Sequence, residues 1–102
     1  MKPNSVVIVS LHSPKEKVWG ILDEIFAAGV TVRGIDLSSF EEWLNQVGTE
    51  DQMGLATIFY PMHRIERIAL DESMGNIPSL IQTFEQRTNL KLSAFLDKIA
   101  PP

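Results

Sequence analysis

Apolar positions in this chain are of two kinds: short β-branched runs early on, and later stretches that repeat every three or four residues. Val6-Val7-Ile8-Val9-Ser10-Leu11 is the clearest of the first kind. It lies between Pro3-Asn4 and His12-Ser13-Pro14 and reads as a strand buried on both faces. Val30 to Leu37 follows Gly29 and reads as another, with Val30, Val32 and Gly34 on one side. Leu55-Ala56-Thr57-Ile58-Phe59-Tyr60 is a strand halted by Pro61, and a further strand over 64–70 turns Ile65 and Ile68 inward.

Helical spacing appears at two places. Ser38 and Ser39 each stand three residues before a glutamate, which is the pattern of a capping box, and Phe40, Trp43, Leu44 and Val47 then share one face. This predicts a short helix over 38–47, ended by Gly48 and the polar loop 49–52. After a turn-rich connector over 71–76, Pro78 stands at a first helical position. Ile77, Leu80, Ile81 and Phe84, then Leu92, Phe95, Leu96 and Ile99, predict one or two helices over 78–99, with a break near Thr88-Asn89.

Residues 13–29 admit two conformations. As a helix, Ser13-Pro14-Lys15-Glu16 would cap the start, Val18, Ile21, Leu22 and Ile25 would form one face, and Ala27-Ala28-Gly29 would close it. As a strand, Val18-Trp19-Gly20-Ile21-Leu22 is β-compatible, and Phe26-Ala27-Ala28-Gly29 would make a type I turn with glycine left-handed. Local signals favour the helix, whereas context favours the strand. The strand completes a set of five, over 6–11, 17–25, 30–37, 55–60 and 64–70, the inventory of a small closed barrel in which Gly20 and Gly34 mark bends.

The segment Phe59-Tyr60-Pro61-Met62-His63-Arg64-Ile65-Glu66-Arg67-Ile68 resembles the end of Src-homology-type (SH3) and Sm-like barrels, where a proline opens a one-turn helix between the last two strands. Val7, Val9 and Leu11, a polar turn, then Val18-x-Gly20-x-Leu22 resemble the first Sm-like hairpin. The resemblance spans residues 6–70 and implies an α+β, mainly β fold: a five-strand SH3/Sm-like barrel with a helical insert over 38–47 and C-terminal helices over 78–99. It departs from the Sm-like pattern after Asp23, where the asparagine of a nucleotide-binding turn is missing, so RNA binding is not implied. If 13–29 is helical, the order becomes a layered β-α-β-α-β-β-α, similar in its first half to small-ligand-binding ACT domains, whose units end in turns like Ala28-Gly29-Val30.

Length and composition narrow the class. The chain has 102 residues, 44% hydrophobic and 22% charged, which suits one ordinary globular domain over 1–102. A net charge of −4 repels phosphate backbones and anionic lipid, so nucleic acid and membrane are not expected as partners. Cysteine is absent, which excludes disulfides and thiolate metal sites and suits the reducing cytoplasm. No apolar run approaches the ~20 residues of a membrane span, and neither signal peptide nor anchor is expected.

Candidate chemistry is sparse. His12 and His63 are the only histidines and lack any metal-binding spacing; a strand end and a turn account for them, and no metal or cofactor is expected. Ser10 and Ser13 flank His12 without the glycine-framed turn of a serine nucleophile. Gly20, Gly29 and Gly34 are too far apart for a phosphate loop. Arg33, His63, Arg64 and Arg67 supply the positive groups of the sheet region and are candidates for binding an anion, with an internal salt-bridge set as the plainer account. The tail carries more apolar residues than one surface helix needs, so Leu92, Phe95, Leu96 and Ile99 are interface candidates unless the chain itself covers them. The function expected is a non-enzymatic binding or interaction module that forms homo-oligomers; the alternative is a sensor of a small anionic ligand or nucleotide.

Overall fold

The computed structural model describes residues 1–50 and 54–98. The chain is a small α+β protein, mainly β. Its elements are β1 (Val6–Leu11), β2 (Glu16–Phe26), β3 (Gly29–Asp36), a 3-10 turn (Leu37–Ser39), α1 (Phe40–Gln46), β4 (Ala56–Pro61), a second 3-10 turn (Met62–Arg64), β5 (Ile65–Leu70), α2 (Leu80–Thr88) and α3 (Leu92–Lys98). The ambiguous segment is therefore a strand, and the layered alternative with a helix between the first two strands does not form. Part of the loop expected at 49–52, and Ile99 of the tail, fall outside the described residues.

The backbone divides into two compact units, Met1–Glu41 with Leu55–Leu70, and Glu42–Gly54 with Asp71–Pro102. In the first, five antiparallel strands run in the order β4-β3-β2-β1-β5, so β4 and β5 are the edges. Strand alternation directs Val7, Val9, Leu11, Val18, Leu22, Val30, Val32 and Tyr60 into one buried cluster, with Ile65 and Ile68 packed against it. On the opposite face Trp19, which is fully buried, meets the edge of Phe40 at 5.1 Å between ring centroids.

Gly20 and Gly34 lie directly opposite one another, and a Cβ on Gly20 would come within 2.6 Å of the Gly34 Cα. These glycines are needed for close approach of β2 to β3. Gly29, expected in a left-handed turn conformation, does not adopt a positive φ. It is needed instead because a Cβ there would strike the Tyr60 carbonyl and lie 2.7 Å from the Phe59 ring.

The second unit is helical. Trp43 stacks on Phe84 at 5.4 Å and meets Phe95 edge-on at 5.8 Å, while Phe84 and Phe95 are 5.3 Å apart. The helix starts differ from the sequence expectation. Ser79, not Pro78, opens α2, with a complete capping box to Gln82, and both Asp71 oxygens accept from the Leu80 and Ile81 amides at 2.8 Å. At the first 3-10 turn Asp36 is the cap, accepting from the Ser38 amide at 2.9 Å and the Ser38 hydroxyl at 2.6 Å. The expected break falls at Asn89, whose left-handed φ of 59° ends α2.

Candidate functional site

Strand register decides which of the four positive candidates can meet. Arg33 stands between Ile21 of β2 and Thr57 of β4. Arg67 stands opposite Ser10 of β1, which in turn faces Lys17 of β2. Ile21 and Lys17 are four residues apart on β2, about 13 Å along the strand at ~3.3 Å per residue. Arg33 and Arg67 therefore belong to separate places on the sheet. His63 is exposed in the 3-10 turn.

Arg64 has a structural task. Its Nη2 donates to the Pro14 carbonyl at 2.9 Å and its Nε to the His12 carbonyl at 3.4 Å, while the Glu16 carboxylate lies at 3.7 Å. It clasps the β1–β2 turn, where Ser13 has a φ of 59° and the Ser13–Pro14 peptide is cis. The His12 ring sits 3.3 Å from the Ser13 hydroxyl, an exposed contact between adjacent residues.

Arg67, by contrast, lines a pocket of about 170 Å³ together with Ser10, Leu11, Lys15, Glu16, Lys17 and Glu66. A shallower depression of about 560 Å³ shares Lys15, Glu16 and Lys17 and extends to Asp36, Leu37 and Ser38. Ser10 and Lys17 were not among the binding candidates. Ser10 is the polar residue of an otherwise apolar β1, whereas Lys17 follows Glu16 at the charged start of β2, and their meeting becomes readable only once the hairpin pairs Leu11 with Glu16 and hence Ser10 with Lys17.

An apolar feature lies elsewhere on the same sheet. Phe26 at the end of β2 and Phe59 of β4 are 5.8 Å apart, and they remain 41% and 48% exposed. The missing side chain at Gly29 makes room for the Phe59 ring. Ile25, Ile58 and Met62 are exposed as well. Of the tail candidates, Leu92 and Phe95 are buried and Leu96 is half-buried. Comparison of the chain with protein-family models, with curated proteins and with solved structures finds no match.

Proposed function

We propose that the chain is a non-enzymatic interaction module that associates with further copies of itself through the edge of β4 and the Phe26–Phe59 pair beside it. The observation that carries this reading is the character of β4. It is a sheet edge, its residues Ala56 to Phe59 are all exposed, and none of its six residues is charged. Edge strands present unpaired backbone amides and carbonyls, and monomeric proteins ordinarily blunt them with lysine, bulges or internal proline. Here Pro61 stands only at the end of the strand. A second β4 related by a two-fold axis would extend the sheet and cover the aromatic pair.

A sheet bent toward an SH3/Sm-like barrel but left open at β4 is the finer architecture we propose. Its support is the second 3-10 turn, which joins the two edge strands and is hydrogen-bonded on both sides. The Met62 amide donates to the Ala28 carbonyl at 2.9 Å, and the His12 amide donates to the Arg64 carbonyl at 2.9 Å. With no cysteine in the chain, the fold does not depend on an oxidising compartment, and the cytoplasm is the proposed setting.

Sedimentation velocity on the full chain tests the reading. The wild type is expected to form dimers or larger species at micromolar concentration. Phe59→Glu and Thr57→Lys, each checked for folding by circular dichroism, should weaken association by at least ~30-fold, as loss of a central interface residue does. A wild type that stays monomeric at the highest attainable concentration overturns the proposal, as do folded variants that associate like the wild type.

A further inference from the structure

We infer that the pocket around Ser10 is a binding site for the phosphoryl group of a small phosphate monoester. The inference uses none of the residues proposed for self-association. It begins with register. Lys17, Ser10 and Arg67 form one cross-strand row over β2, β1 and β5, with a hydroxyl between two cations. Adjacent strands are about 4.8 Å apart, so the two cationic residues are anchored about 10 Å from each other, close enough for their side chains to converge over the serine. All three line the same pocket. Ser10 is 7% exposed, which makes it part of the floor.

The second observation is the irregularity in β5. Register shifts between Ser10 and Leu11, whose partners are Arg67 and Ile65, so Glu66 is the extra residue of a bulge. In a regular strand Glu66 and Arg67 would point to opposite faces; here both line the pocket. The bulge therefore places a donor and an acceptor side by side at one cavity.

Charge is the third. Glu16 is engaged by Arg64 at 3.7 Å. That leaves Lys15, Lys17 and Arg67 against Glu66, a local positive excess on a chain of net charge −4. Among the described residues, neither Lys17 nor Arg67 has an ion-pair partner. A guanidinium forks onto two oxygens, an ammonium supplies a point charge and the Ser10 hydroxyl a third donor, a set that suits a tetrahedral oxyanion better than a two-oxygen carboxylate. The volume agrees. About 170 Å³ is room for a phosphoryl group, and the exposed Lys15, Lys17, Glu66 and Arg67 that line it leave the remainder of the ester in solvent. Glu66 is the acceptor in this set, and it selects a ligand bearing a hydroxyl near its phosphate.

Titration of the full chain with inorganic phosphate and with glycerol phosphate, followed by amide chemical shifts and calorimetry, tests the site. Both probes should shift the Ser10, Lys17 and Arg67 amides, with glycerol phosphate the tighter. Arg67→Gln and Lys17→Gln should each weaken binding by about tenfold or more, as loss of a charge-assisted hydrogen bond does, while Arg33→Gln changes nothing. Glu66→Ala, which removes the acceptor as well as the charge, should strengthen inorganic phosphate binding and remove the preference for glycerol phosphate. The inference fails if about 10 mM of either probe leaves those three amides unmoved, a bound well beyond millimolar affinity. It fails equally if Arg33→Gln weakens binding as much as Arg67→Gln, since the effect would then be general charge.

Discussion

Tyr60 sits in the buried cluster of the sheet unit, and its surroundings disfavour the phenolate. Burial raises its pKa above the ordinary value of 10.0, the carboxylates of Glu16 and Asp36 raise it further, and Arg64 opposes them. The linkage has a definite sign. Below pH 10 the phenol is protonated in folded and unfolded chains alike, and its full contribution to stability is present. Above that pH the unfolded chain loses the proton first, so stability falls as the pH rises through the higher folded value. Urea unfolding between pH 8 and 11 should show a decline that is shallower in Tyr60→Phe. Equal slopes in the two proteins would mean that the phenol does not titrate differently on folding. Arg64 shows the limit of reading residues singly: an arginine beside a histidine suggests anion binding, yet its guanidinium is committed to two carbonyls across the β1–β2 turn.

At the scale of elements, β2 shows what local sequence leaves open. Its helical signals, Ser13-Pro14-Lys15-Glu16 and the spacing of Val18, Ile21, Leu22 and Ile25, concern neighbours in sequence. The strand satisfies pairing on both sides, to β1 and to β3, and seats Val18 and Leu22 in the core. Non-local pairing therefore outweighed local preference. The runs at β1, β3, β4 and β5 were legible because each is β-branched and bounded by breakers. The register irregularities were not, since neither the shift between Leu22 and Glu24 nor the one facing Ser10 leaves a mark on composition. The proposed anion pocket depends on the second of these, which brings Glu66 to the same cavity as Arg67. Gly34 belongs at this scale too. A methyl group there would lie 2.9 Å from the Gly20 Cα and against the Trp19 carbonyl, forcing β2 and β3 apart. Gly34→Ala should cost about 1–3 kcal/mol in chemical denaturation, as overpacking does. A neutral result would show that the two strands separate without penalty.

At the scale of the whole molecule, each unit has its own fully buried tryptophan, Trp19 on the face of the sheet opposite the core cluster and Trp43 among the aromatic rings of the helical unit. The surplus of apolar residues in the tail was legible from spacing. Its cover was not, because the aromatic set of Trp43, Phe84 and Phe95 joins residues more than forty positions apart. The units differ in how they hold their backbones. In the sheet unit β1 and β2 are paired along both sides and cover a contiguous core that includes eight buried residues. The helical unit is the smaller; it holds α1 from Glu42 onward together with α2 and α3, helices that span only seven, nine and seven residues. Helices this short are marginal on their own and depend on side-chain packing. Local opening free energy follows buried contact and hydrogen-bond shielding, so amides in the two parts should exchange at different rates. Native-state hydrogen exchange is expected to protect β1 and β2 at least ~10-fold more than any amide of α2 or α3. If the most protected amides instead lie in α2, the helical unit is the more stable of the two, and the sheet is not the part of the molecule that unfolds last.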